Sequence, residues 1–219
     1  MGEHKQKRSL AGGRPATKRS RPLITAVIVV AVAGSVIAID MWQNNNTSPF
    51  DDFIPERSKG VEAAPVKIVE FIDFQCSHCK EGAGVLKELM ALHQDKIRLT
   101  MKYYPLGQLN SSMSAYYAEC AARQGKFWAM HDALLETQDE WRSIIRVKPL
   151  FDRLATEAGL DQAALDACVE SNKTKKTVAK DRALGDSYQV RSTPSYFLNG
   201  EMVVGVHSLK KKLDDLIGE

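Results

Sequence analysis

The hydrophobic positions divide the chain into stretches of different period. From Val66, the run VKIVEFIDF collects Val, Ile and Phe over the length of a strand. KEGAGVLKELMALHQ after it sets Val85, Leu86, Leu89 and Met90 at helical spacing. A strand, a tight turn and a helix are predicted there. Between residues 112 and 189 one amphipathic helical segment follows another, with Met130, Leu134 and Leu135 on one face and Leu150, Phe151 and Leu154 on another. Two short strand-like runs, SYFLNG and EMVVG, come next, and Leu209, Leu213, Leu216 and Ile217 form the stripe of a closing helix. This order predicts an α/β domain that starts near Pro65, runs to residue 217 and carries an all-helical insertion at about 112–189.

Upstream the pattern changes twice. Residues 23–39, LITAVIVVAVAGSVIAI, are uncharged and apolar without a polar face, and seven Lys/Arg against one Glu precede them in residues 1–22. That combination reads as a basic cytoplasmic tail and a single membrane segment that carries the remainder out of the cytoplasm. A cleaved signal peptide is the alternative, since Ala31-Val32-Ala33 fits an A-x-A site, although apolar character continues beyond it. Residues 40–64, rich in Asn, Ser, Pro and charge, are expected to be a flexible tether. Asn45 and Asn110 fit the N-x-Ser/Thr sequon, a short match to which no function is assigned.

Composition and charge narrow the function classes. With 219 residues, 44% of them hydrophobic and 26% charged, the chain has material for one sizeable core. The formal net charge is +3, but the basic excess belongs to the first 22 residues and the rest is mildly acidic. A nucleic-acid-binding surface is therefore not expected.

The candidate chemistry lies in FIDFQCSHCKEG, residues 71–82. Its turn puts Cys76 at the N-terminus of the predicted helix, where unpaired N–H groups and the helix dipole favour negative charge. A thiolate carries that charge, and it is the species that attacks or leaves in disulfide exchange. Ser77 and His78 stand between the cysteines. His78 is expected to favour the Cys76 thiolate by hydrogen bonding or by its own charge, or else to be a solvated turn residue. Cys79, one turn further in, is expected to be shielded and to resolve the mixed disulfide. Structural zinc would need a second knuckle, which is missing, and haem attachment would need His where Lys80 stands. Copper on the thiolates with Met90, Met101, Met113 or Met130 is a further alternative. No metal and no cofactor are expected.

Together, FIDFQCSHCK, YYAECAARQGKFWAMHDALLE and VRSTPSYFLNG resemble the DsbA-like family of thiol:disulfide oxidoreductases, over residues 65–217. The resemblance implies a thioredoxin-like fold with a helical insertion roofing the active-site side. It also implies a cis peptide bond at Thr193-Pro194 lying against Cys76–Cys79, where adjacent backbone pairs with an extended substrate. Extracytoplasmic placement and four cysteines suggest two pairs, so Cys120 with Cys168 is read as a structural disulfide, with a second redox pair or two buried thiols as alternatives. The expected activity is disulfide donation to reduced or misoxidised extracytoplasmic proteins by a monomer that a membrane redox partner recycles. Disulfide isomerase or reductase of the same fold, or a non-catalytic metal-binding module, are the alternatives. Ser77 departs from the proline that the best-known oxidases of the family carry, which leaves the direction of electron flow open.

Overall fold

A computed structural model describes residues 53–218. The basic tail, the apolar run 23–39 and most of the predicted tether lie outside the described residues. Among the described residues, no helix is long and apolar enough to cross a membrane.

Five strands form one sheet in the order β1-β3-β2-β4-β5: β1 (Ser58–Gly60), β2 (Val66–Ile72), β3 (Ile97–Tyr103), β4 (Ser195–Leu198) and β5 (Glu201–Val204). β2 and β3 are parallel, with Ile68 opposite Leu99, and α1 (Ser77–Leu92) makes the crossover between them. The remaining pairings, β1 with β3, β2 with β4 and β4 with β5, are antiparallel. β3 is buried at every position and β2 at all but Lys67. Cover on both faces explains why VKIVEFI reads as a nearly continuous apolar run rather than an alternating one.

Two cores result. On one face Val66, Ile68 and Ile72 join α1 and α8 (Gly205–Ile217) with the interior of the helical insertion. On the other, Val69, Phe71 and Phe197 pack with Tyr104, Val190 and Leu184. The insertion consists of α2 (Ser111–Arg123), α3 (Phe127–Glu136), α4 (Gln138–Trp141), α5 (Lys148–Glu157), α6 (Gln162–Val169) and α7 (Asn172–Ser187). Met130, Leu134, Leu135, Phe151 and Leu154 are buried as the helical periodicity predicted, whereas Leu216 of the closing stripe remains 38% exposed.

The start of the folded unit differs from expectation. Residues 55–60 fall inside the predicted tether, yet Pro55–Arg57 form a 3-10 turn and Ser58–Gly60 pair with β3 as an edge strand. The cause is a side-chain anchor without an apolar signature. Arg57 is buried, its Nη1 donates to the Asp181 carboxylate of α7, and its guanidinium lies 4.5 Å over the Tyr103 ring. Asp181 also accepts the Tyr103 N–H at 3.2 Å. A three-residue edge strand anchored through a buried arginine that faces both Asp181 and Glu119 has no periodicity to read.

Cys120 and Cys168 are joined in a disulfide between α2 and α6, 48 residues apart in sequence. Replacing both by Ser is predicted to lower stability by about 4 kcal/mol, the chain-entropy figure for a loop of this length. Urea unfolding of the two proteins, each with an oxidised Cys76–Cys79 pair, measures it.

Candidate active site

The turn that carries the cysteines is built by polar side chains. β2 ends at Ile72, and the buried Asp73 carboxylate accepts the Gln75 N–H at 2.9 Å, the Leu106 N–H at 2.8 Å and the Ser111 hydroxyl at 2.7 Å. The Asp73 carbonyl accepts the Cys76 N–H at 3.0 Å. From the insertion, Gln138 Nε2 donates to the carbonyls of Phe74 and Cys76 at 2.7 and 2.9 Å. Gln75 returns the contact, donating to the Arg142 carbonyl at 2.8 Å and accepting the Asn110 N–H at 2.6 Å. These bonds account for buried backbone groups that a turn leaves open, and they bind the insertion to the site.

Cys76 is the N-cap of α1, in extended conformation, and no acidic side chain stands in the first turn of the helix. It is partly exposed, while Cys79 is completely buried, and both are free thiols. The Thr193–Pro194 bond is cis, and Cys76 Sγ donates to the Thr193 carbonyl at 3.3 Å. The Thr193 hydroxyl makes no hydrogen bond in this thiol form and is placed to donate to Sγ once its proton leaves. The Cys76 thiol is lowered to about 5. Its largest cause is a hydrogen bond from the Cys79 thiol, with Thr193 and the N–H groups of Cys79 and His78 adding to it against the cost of burial. Cys79 shifts the other way, well above the ordinary thiol value, because burial and the hydrogen bond it donates to Cys76 favour the thiol.

Beneath this pair lies a group the sequence reading missed. Glu70, on the same sheet face as Ile68 and Ile72, is 1% exposed and its Oε1 has no hydrogen-bond partner. Burial raises its carboxyl to about 8, and the neighbouring Cys76 charge adds to the shift. Tyr196, its register partner on β4, is also fully buried with an unpartnered hydroxyl. The helix above leaves room for that hydroxyl only because residue 82 is glycine: a Cβ there would stand 2.2 Å from Tyr196 Oη. The available sequence signal for Glu70 was its parity, an acidic residue in step with buried Val66, Ile68 and Ile72.

Of the predicted site residues, Cys76, Cys79, Thr193 and Pro194 are brought together, and Cys120–Cys168 lies apart within the insertion. Ser77 is exposed at the first position of α1. The ring of His78 takes the second of the two places expected for it, in solvent at the turn: its side chain is 75% exposed and its Nδ1 lies 3.4 Å from Glu81 Oε2, one turn along the helix. The residue acts on Cys76 through its backbone N–H rather than its ring. Among the described residues no group of three or more His, Cys, Asp and Glu side chains is arranged to hold a metal ion.

A parallel β2–α1–β3 core extended by antiparallel strands, with a Cys-x-x-Cys at the helix start facing a cis-proline loop, defines a thioredoxin-fold protein. A thioredoxin family model matches residues 54–217, and the chain belongs to that family. The structure is similar to a thioredoxin-like oxidoreductase from Silicibacter pomeroyi (TM-score 0.64, 25% identity, covering 78% of this chain and 96% of that one). It also shares its fold with Wolbachia pipientis alpha-DsbA1 (TM-score 0.66, 19% identity, 76% and 93% covered). Among curated proteins, the chain is 32% identical over 160 residues to the Na(+)/H(+) antiporter NhaA 3 of Salinispora tropica, a match that covers 71% of this chain and 24% of the antiporter. The chain thus spans about a quarter of the length of that relative.

Two pH dependences follow. Iodoacetamide labelling of the reduced protein is predicted to titrate at a single cysteine, Cys76, with a midpoint of about 5, while Cys79 stays unlabelled at neutral pH. Glu70 has a folded-state pKa above its unfolded value, so its contribution to stability is full below about 4.5 and is lost as pH rises to about 8. In Glu70→Gln, that downward slope in denaturant-measured stability is predicted to disappear. The difference between the proteins then changes by on the order of 5 kcal/mol across this interval.

Proposed function

We propose that this protein is a thiol:disulfide oxidoreductase that donates disulfides to extracytoplasmic proteins through Cys76 and Cys79. The observation that carries this reading is the asymmetry of the pair: a partly exposed Cys76 at the N-cap of α1, its Sγ 3.3 Å from the carbonyl that precedes cis-Pro194, above a completely buried Cys79, surroundings that lower the first thiol and raise the second. Whatever stabilises the Cys76 thiolate stabilises the reduced protein, and so makes its disulfide the stronger oxidant.

In the proposed reaction a substrate thiolate attacks Cys76 Sγ of the Cys76–Cys79 disulfide. The S–S bond breaks, its electron pair leaves on Cys79 Sγ, and the neutral Glu70 carboxyl supplies the proton that turns this poor leaving thiolate into a thiol. A second substrate thiolate then attacks the substrate sulfur of the mixed disulfide and expels Cys76 as the stable thiolate. The substrate is oxidised by two electrons and the protein reduced by two. Thr193 and cis-Pro194 offer backbone beside Cys76 for an extended substrate strand, with the Thr193 carbonyl already within 3.3 Å of Sγ. A membrane redox partner restores the disulfide.

The same reading takes residues 23–39 as a single inner-membrane anchor with the domain on the extracytoplasmic side and the protein as a monomer. A disulfide is at home in such a compartment, and Cys120–Cys168 is in keeping with it.

The reduction potential of the Cys76/Cys79 couple, equilibrated in glutathione buffers and read by thiol labelling, tests the direction. A value more positive than about −220 mV is expected; a strongly reducing value makes the protein a reductase or isomerase instead. Cys79→Ala is predicted to accumulate mixed disulfides through Cys76 when mixed with a reduced substrate protein, and Cys76→Ala to accumulate none. Non-reducing gels with mass spectrometry read both.

A further inference from the structure

The segment FWAMHDALLE has no part in the reaction above, yet it builds the wall of a cavity of about 460 Å³ behind the active site. The cavity lies under α1 on the sheet face that carries Glu70. Glu70 reaches it from β2, Ala83 and Leu86 roof it, and Trp128, His131 and Asp132 of α3 close its side. Its volume has room for several water molecules. Exposed Lys59, Lys87, Ala91 and Gln94 line it as well, so the cavity opens to solvent on the side away from Cys76.

Two polar side chains on its walls are more than nine-tenths buried. Glu70 has an unpartnered Oε1, an arrangement that costs free energy unless something in the cavity satisfies it. His131 is 5% exposed, and its Nδ1 lies 2.8 Å from Asp132 Oδ1. With Nδ1 donating to that carboxylate, Nε2 is the ring atom left to take or give a proton. The ring is held on edge by Phe74, at 5.7 Å, and Trp128, at 5.1 Å, so its direction is set by packing. The charged groups around the cavity are Lys59 from β1, Glu70 from β2, Lys87 from α1 and Asp132 from α3; β3 contributes only Leu99.

The chemistry needs such an arrangement. While a substrate sits on Cys76, the front of the site is covered, and Cys79 is 0% exposed. A proton given by Glu70 to the departing Cys79 thiolate must be replaced from elsewhere. We propose that this cavity is a rear proton port, in which the His131–Asp132 pair passes protons between solvent and Glu70 during formation and resolution of the mixed disulfide. One proton moves from His131 Nε2 or its hydrated neighbours to the Glu70 carboxylate for each that Glu70 delivers to Cys79 Sγ, and solvent restores it. The inference rests on Glu70 as the proton donor. His131 is then a relay residue that touches neither cysteine, and the FWAMHD sequence serves proton transfer as well as packing.

The test follows the oxidised full-length protein as a reduced two-cysteine peptide reduces it, by acid quench and thiol counting from pH 5.5 to 9 in H₂O and D₂O. His131→Asn removes the relay, Ala91→Leu obstructs the mouth, and Glu70→Gln removes the donor; thermal melting confirms that each folds. The port predicts that His131→Asn slows reduction about tenfold below pH 8, less than the roughly 100-fold that direct acid–base catalysis contributes at its lower end. It also predicts a larger solvent isotope effect, with an unchanged reduction potential and Cys76 labelling midpoint. Ala91→Leu should slow the same step in the same pH range. The port is overturned if folded His131→Asn and Ala91→Leu keep the wild-type pH profile and isotope effect, or if the rate falls only with a matching change in potential. If Glu70→Gln flattens the profile while those two do not, only the port fails. If Glu70→Gln also leaves the profile unmoved, the role given to Glu70 fails with it. Should His131→Asn not fold, Ala91→Leu decides.

Discussion

A carboxyl group buried in the sheet without a partner is the constraint around which the site is arranged. Glu70 sits under the first turns of α1 where no cation and no donor reaches its Oε1. A charge there would be expensive, so the group is held neutral to about pH 8. Above it, two chemically identical thiols are separated by environment alone. Cys76, at the helix terminus with donors around it, is the better anion; Cys79, sealed from water three residues on, is the better thiol. Three titratable groups at one place, pushed to about 5, about 8 and well above 9, can hand a proton on without competing for the same one.

That separation requires the turn to stay in one conformation, and the helical insertion supplies the restraint. Asp73 ties the end of β2 to Leu106 and to Ser111 at the start of α2, Asn110 at the N-cap of α2 donates to Gln75, and Gln138 reaches the turn from within the insertion. An insertion that hydrogen-bonds the active-site backbone is part of the site rather than a roof over it. Its own rigidity comes from a large aromatic interior, in which Trp141 and Phe151 pack edge to face at 5.1 Å, and from the Cys120–Cys168 crosslink. Preorganisation of this kind keeps Sγ of Cys76 within reach of the Thr193 carbonyl across 117 residues of sequence.

Much of this was legible because it is written in local patterns. The strand before Cys76, the helix after it, the helices between residues 112 and 189, and the pairing of Cys-x-x-Cys with a distant Thr-Pro all have spacing or a motif behind them. What escaped has a physical reason in each case. Glu70 reads as the polar position of a strand until α1 covers that face. The edge strand Ser58–Gly60 is three residues long and held by Arg57, so no alternation announces it. For His78 the sequence left two places open, at Cys76 or in solvent, and the ring lies in solvent beside Glu81 at i+3. Leu216 shares the stripe of Leu209 and Leu213, yet lies in the last turn of α8 and is 38% exposed.

The relatives bear on how much of the chain the chemistry needs. In the Salinispora antiporter a segment similar to this one makes up 24% of the protein, whereas the Silicibacter oxidoreductase is covered over 96% of its length. A segment similar to this chain thus makes up a minor part of one protein and almost the whole of another. A redox centre that kept its function across such settings would have to draw on its own residues. Every group invoked here satisfies that condition: Glu70, Cys76, Cys79, His131, Asp132, Thr193 and Pro194 all lie inside the matched segment, residues 54–217. What differs between these settings is what the domain is attached to, while in this chain the separation of the two cysteines comes from α1 and Glu70, both within that segment.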